Sequence, residues 1–292
     1  MAEYPEHAGE VAAEGADPRE PAGFPLAGRQ ASLLLHTELT SSTQDDLANL
    51  WRGNGAVASA PAPYTVLIAD DQTNGRGRVG RPWYSATGRS VLVSVLLALP
   101  SELREQISLL TLIGGAAARA AVSSTTDRDE VMISWPNDLV ALTPEPRKIA
   151  GIIGEFVGER DGQVFAVLGM GLNLSLAAEE LPTPTSASLL TAGLPVPGRD
   201  EVIAAWISGL RTRIEAFVAA DGDPAASGLL EEINSHCETL RPGVTVGRPR
   251  NTPIHGTGQA ILADGSLQML TDSGTVVVSA GEVSLLDTAP LS

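Results

Sequence analysis

Apolar side chains recur along this chain with two periods, and each predicts a different kind of element. Helical spacing appears where Thr43-Gln44-Asp45-Asp46 opens a segment carrying Leu47, Leu50 and Trp51, with Gly53 to stop it. The same spacing joins Ile107, Leu110, Ile113 and Ala117 behind a Ser101 cap, and Val202, Trp206, Leu210, Ile214 and Phe217 behind an Asp200 cap. Asp223-Pro224, a cap followed by proline, predicts one more helix start. Short runs rich in Val, Ile and Leu predict strands at Ser32–Leu35, Thr65–Ala69, Ser90–Leu99, Val131–Ser134, Ile152–Val157 and Val164–Leu168. Beyond about Leu240 the texture changes. Brief β-type runs (244–246, 260–262, 267–270, 276–278, 283–286) alternate with turns at Asp264-Gly265 and Ser273-Gly274.

Strands mixed with helices, followed by short strands alone, predict an α/β (α+β) fold with a small C-terminal SH3-like β-barrel. The expected divisions are a disordered acidic tail at 1–30, a catalytic-sized domain at 31–238 and the barrel at 240–292. Residues 1–30 are rich in Glu, Pro and Gly and carry few large apolar side chains.

Charge narrows the function classes. Across 292 residues, 35 acidic side chains oppose 19 basic ones, for a net charge of −16. Such a balance argues against nucleic acid or an anionic membrane as partner. One cysteine, Cys237, and four scattered histidines (His7, His36, His236, His255) offer no metal cluster or intrachain disulfide. No signal peptide is evident, and the most apolar run, Val91–Leu99, is half a membrane span. These features predict a cytoplasmic protein. Lys148 is the only lysine among the 19 basic residues. Either it escaped a drift toward arginine, or its position needs a compact ammonium that a guanidinium fork cannot replace.

Candidate chemistry lies in three loops. Gln72–Arg89 holds Arg76, Arg78, Arg81 and Arg89, interleaved with Gly75, Gly77, Gly80 and Gly88, and no acidic residue. Glycines let the backbone approach a ligand and arginines meet its charge, so the segment predicts an anion-binding loop that orders on its ligand. Gly75-x-Gly77-x-x-Gly80 is a poor dinucleotide fingerprint, because Pro82 and a strand follow it instead of a helix. There is no P-loop motif, and nothing downstream matches a protein kinase. The second loop, Ser134-Trp135-Pro136-Asn137-Asp138, puts Asn137 and Asp138 on a turn and is followed by Arg147-Lys148-Ile149-Ala150-Gly151. A lysine leading into a buried strand calls for an anion. The third is Gly169-Met170-Gly171-Leu172-Asn173-Leu174, where glycines again permit close approach.

Taken together, GRGRVGRPW (75–83), SWPNDL (134–139), RKIAGII (147–153) and GMGLNL (169–174) resemble the biotin–protein ligase family over roughly residues 35–290. The resemblance implies a mixed sheet flanked by helices, of the class II synthetase-like biotin/lipoate ligase kind. It implies ATP and Mg²⁺ as cofactors, biotin as substrate, and transfer through biotinyl-5′-AMP to a lysine of a biotin carboxyl carrier domain. A monomer or weak homodimer is expected. Ser42, Thr43, Gln72, Gly75, Arg76, Lys148 and Gly151 would bind biotin, and Arg78, Arg81, Trp83, Asn137 and Asn173 the nucleotide. Lys148, Arg76 and Asp138 would be catalytic, with Asp138 orienting either the attacking lysine or a Mg²⁺-bound water. Two departures stand out: Gln44 where the family commonly has asparagine, and Ser134 where it is often basic. Only 41 residues precede Ser42, so no N-terminal DNA-binding domain is expected. The alternatives are a lipoate–protein ligase, from which the GRGRxGRxW loop distinguishes it, and a non-catalytic sensor of biotin or biotinyl-AMP.

Overall fold

The computed structural model describes residues 23–53, 61–143, 145–248, 251–279 and 281–283. In chain order its elements are α1 (Pro25–Gln30), β1 (Leu33–Thr40), α2 (Thr43–Trp51), β2 (Thr65–Gln72) and β3 (Ser90–Pro100). A 3₁₀ segment (Ser101–Leu109) leads into α3 (Leu110–Thr126). Then come β4 (Val131–Ser134), β5 (Asp138–Leu142), β6 (Pro146–Arg160), β7 (Gln163–Asn173), α4 (Arg199–Ala219) and α5 (Leu229–Ser235). The C-terminal part holds β8 (Val244–Arg248), β9 (Asn251–Ile261), β10 (Leu267–Thr271), β11 (Gly274–Val278) and β12 (Glu282–Val283).

The first seven strands form one sheet in the order β1-β2-β3-β7-β6-β5-β4. Its β1–β2 pair is parallel and its other pairs antiparallel, so the sheet is mixed. Both faces are covered, which explains the nearly continuous apolar run of β3. Val91, Val93, Val95 and Leu97 join the core under α3 and α4, whereas Leu96 faces α2 with Leu47, Trp51, Phe165 and Val167. The remaining strands form a five-stranded antiparallel sheet, β11-β10-β9-β8-β12, where the sequence predicts a small SH3-like barrel. Val244, Val246, Leu267 and Met269 belong to the same buried cluster as α3, so the two sheets share a core.

Several local expectations are corrected. The tail expected over 1–30 is folded at its C-terminal end: Phe24 and Ala27 are buried, while residues 1–22 lie outside those described. Asp200 does not cap its own helix. Its carboxylate instead accepts the backbone N–H groups of Leu26 (2.9 Å) and Ala27 (2.8 Å), capping α1 from 173 residues away. Ser101 makes no cap hydrogen bond and its segment is 3₁₀ before it becomes α-helix. Asp223 accepts the N–H groups of Ala225 and Ala226, but the helix begins only at Leu229. Asp138 starts a strand rather than sitting on a free turn. The β-type run at 283–286 is described only at Val283.

By length and composition Ser101–Thr126 could cross a membrane, but 61% of its most apolar window is buried. It is a core helix. Cys237 is buried too, and burial pushes its thiol up to about 11.

Candidate functional site

Side chains are missing from part of the face that α2 covers. Beyond the helix N-terminus a single ladder row runs Leu92–Gly171–Gly151–Asp138 across four strands, with Ser94 opposite Gly169 one step along. Three glycines leave a floor of bare backbone, and over it opens a cavity of about 890 Å³. Trp83 lies flat on this floor. A Cβ at Gly171 would come within 2.4 Å of its indole, and one at Gly151 within 3.2 Å.

Lys148 reaches the same face through a bulge. Strand parity would turn it with Ala150 and Ile152 into the α3 side. The register between β5 and β6 shifts at Leu139/Val140, so that Ile149 and Ala150 both enter the core and Lys148 flips to the cavity. There its Nζ lies 2.8 Å from Asp138 Oδ1 and 5.7 Å from the Trp83 ring centre. A carboxylate and an aromatic face hold the ammonium where an anionic ligand can meet it.

The polar end of the cavity is built at the start of α2. Ser42 occupies the N-cap and accepts from Asp45 N–H. Gln72 Oε1 accepts the backbone N–H of Thr43 at 2.8 Å. Behind Thr43, its hydroxyl lies 2.9 Å from that of Ser94.

The arginine loop is less self-repelling than its composition implied. Arg76 is ion-paired with Asp45 and, at 3.4 Å, with Glu155; Arg89 pairs with Glu180. Backbone bonds Trp83 N–H to Gly75 O (2.7 Å) and Gly77 N–H to Arg81 O (2.7 Å) close the loop on itself. Gly75 stands behind the lining, and a Cβ there would be 2.6 Å from the Trp83 carbonyl oxygen. Arg78 Nη1 donates to Asn137 Oδ1 (3.2 Å), and Asn137 Nδ2 donates to Ile152 O (3.0 Å). Asn173, buried, donates to Ala187 O (3.0 Å). Ser134 donates to the buried carboxylate of Glu238, which Arg241 also holds at 2.8 Å.

All the candidate site residues except Gly75 therefore line one cavity: Ser42, Thr43, Gln72, Arg76, Arg78, Arg81, Trp83, Asn137, Asp138, Lys148, Gly151 and Asn173. Sequence reasoning missed Ser94, although a lone hydroxyl inside an apolar strand was a usable signal. It also missed Thr245, Gly247, Pro253 and Val283, which the second sheet contributes to the wall. Nothing local marked those. Among the described residues no group of three His, Cys, Asp or Glu side chains could hold a metal ion.

Comparison with known proteins gives the family of the chain. Residues 37–173 match the model of the biotin/lipoate A/B protein ligase family. The biotin–[acetyl-CoA-carboxylase] ligase of Mycobacterium tuberculosis is 32% identical over 246 residues, covering 84% of this chain and 85% of that protein. The bifunctional ligase/repressor BirA of Escherichia coli is 32% identical over 154 residues, or 52% of this chain and 46% of that one. The fold matches a biotin protein ligase from Aquifex aeolicus in complex with biotin and ATP, at a TM-score of 0.66 and 23% identity, over 86% of this chain and 97% of the other. Structural likeness at that identity speaks for fold alone, but a relative aligned over most of both sequences speaks for descent, and the chain belongs to the biotin/lipoate A/B protein ligase family.

Proposed function

We propose that this protein is a biotin–protein ligase that activates biotin with MgATP to biotinyl-5′-AMP and passes the biotinyl group to a lysine of a carboxylase's biotin carboxyl carrier domain. The observation that carries the assignment is convergence. The GRGRVGRPW loop, Lys148 and the Thr43–Gln72 pair surround one cavity, in a chain aligned along most of its length with a biotin–[acetyl-CoA-carboxylase] ligase.

In the first step a carboxylate oxygen of biotin attacks the α-phosphorus of ATP, and pyrophosphate leaves as the new P–O bond forms. Lys148 neutralises the carboxylate and then the acyl-phosphate oxygens; a compact ammonium can follow that moving charge. Arg78 and Arg81 hold phosphate oxygens, and Asn137 keeps Arg78 in place. Arg76, tied to Asp45 and Glu155, acts by anchoring the loop. Asp138 holds Lys148 in position. In the second step the amine of the carrier lysine attacks the acyl carbonyl, loses a proton, and AMP leaves. Mg²⁺ enters with ATP as part of the substrate. Trp83, seated on the glycine floor, walls the site against water that would hydrolyse the mixed anhydride. The carrier domain and the cytoplasm, where the buried thiol Cys237 would stay reduced, belong to the same proposal.

The test is incubation with biotin, MgATP and a biotin carboxyl carrier domain, read by pyrophosphate release and intact mass. Pyrophosphate together with one biotinyl group on the carrier supports the proposal. Transfer of lipoate instead, or binding of biotin without pyrophosphate, overturns it.

A further inference from the structure

Behind Thr43 runs a chain of buried polar groups that the reaction itself does not use. Gln44 is 3% exposed and Ser94 is fully buried. Gln44 Nε2 donates to the backbone carbonyl of Val167 at 2.8 Å. That bond fixes the amide: turned over, it would set two acceptors face to face. Gln44 Oε1 therefore points at Ser94 Oγ, 3.3 Å away, and can only accept. The single hydrogen of Ser94 is committed to it. Ser94 Oγ and Thr43 Oγ1 are 2.9 Å apart, and with the Ser94 hydrogen turned to Gln44 any hydrogen between them comes from Thr43. Its other neighbour, Gln72 Oε1 at 3.2 Å, is also an acceptor. Either way the hydrogen of Thr43 is drawn back into the protein, and its lone pairs are what remain for the cavity. Gln72 is oriented by the same cluster. With Oε1 taken by the Thr43 N–H, its Nε2 is the end left to donate.

We infer that Gln44 and Ser94 are positioning residues that hold the Thr43 hydroxyl as an acceptor, so that this end of the site selects a ligand with an N–H donor beside a carbonyl. The inference rests on the biotin reading above, since a cyclic urea carries both groups on adjacent atoms. It also gives Gln44 a role at the position where the family commonly has asparagine. Gly169 makes room for the longer side chain: a Cβ there would lie 2.6 Å from Gln44 Oε1.

Calorimetric titration without ATP tests this, using biotin and the two analogues in which one or the other ureido N–H is replaced by a ring oxygen. The wild type is expected to reject one of the analogues by about 100-fold, as an unpaired buried acceptor costs a few kcal/mol. In Ser94→Ala the Thr43 hydroxyl loses its 2.9 Å acceptor, and in Gln44→Leu the freed Ser94 hydrogen can point at it instead. In both, only the longer contact with Gln72 Oε1, an oxygen already taken by the Thr43 N–H, still draws the Thr43 hydrogen inward, and it can turn outward more readily. Discrimination should fall to about 10-fold or less, while affinity for ATP is unchanged. If both variants lose affinity for biotin and analogue equally, the residues are merely structural and the inference is wrong. The same holds if the ratio is unmoved. Should the wild type bind no biotin at all, the functional proposal fails and this inference with it. Two variants at different positions keep the test open if one does not fold.

Discussion

Lys148 shows how one residue of register decides chemistry. Placed by parity it would be a buried cation among Ala150 and Ile152; placed by the bulge it meets Asp138 and Trp83. The geometry favours the second reading of the lone lysine, that a compact ammonium is needed. Lys148→Arg keeps the charge but spreads it over a planar fork that the 2.8 Å contact with Asp138 would draw away from the ligand. Adenylation measured by pyrophosphate release should drop on the order of 100-fold; near wild-type release would return Lys148 to coding drift. Gly171 makes the complementary case. An added Cβ would sit 2.4 Å from the Trp83 indole, a contact no rotamer of so large a ring absorbs without leaving the floor. Gly171→Ala should slow biotinyl-AMP formation by roughly 10- to 100-fold, the usual consequence of a misplacement near 1 Å, with little change in Tm. A variant that melts early but turns over normally would show that the glycine serves packing alone.

At the scale of elements, the arginine loop and α1 are both held by partners distant in sequence. Arg76 and Arg89 have carboxylate partners and Arg78 is held by Asn137, and Arg76, Arg78 and Arg81 join Lys148 in the cavity lining. A loop this rich in glycine should open often enough for trypsin to cut after Arg78, while the Arg81–Pro82 bond resists the protease in any conformation. Biotin plus ATP, by supplying negative charge and covering Trp83, should slow that cleavage. Equal cleavage rates with and without ligand would contradict the loop's assigned role. For α1, the carboxylate of Asp200 satisfies two N–H groups that a six-residue helix cannot satisfy itself. Asp200→Ala should cost about 1 kcal/mol, or about 2–4 °C in Tm. Asp200→Asn, which keeps one acceptor oxygen, should lose less. No change in Tm for either would mean that Phe24 and Ala27 hold α1 by packing alone.

At the scale of the molecule, the two sheets share one buried cluster, and Trp135 Nε1 reaches across to Gly265 O at 2.9 Å. A core without a seam predicts one unfolding transition. Calorimetry and tryptophan fluorescence should report the same midpoint, whereas a separate early melt of the C-terminal strands would show that the shared cluster is not cooperative. The amino-acid sequence by itself determined the elements whose periodicity is strong, such as β3 and α4, and the residue types gathered around the site. Those signals are local: spacing, glycines beside arginines, a solitary lysine. It misread Asp200 and Ser101 as caps and put Asp138 on a turn where β5 begins, because a cap or a strand edge depends on which partner arrives from elsewhere in the chain. Tertiary structure alone decided that Arg76 spends its charge on Asp45 and Glu155, that a bulge turns Lys148 toward the cavity, and that Thr245 and Pro253 close its wall. In each case the deciding atom lies far away in sequence, and no pattern along the chain records which distant group will come within hydrogen-bonding reach.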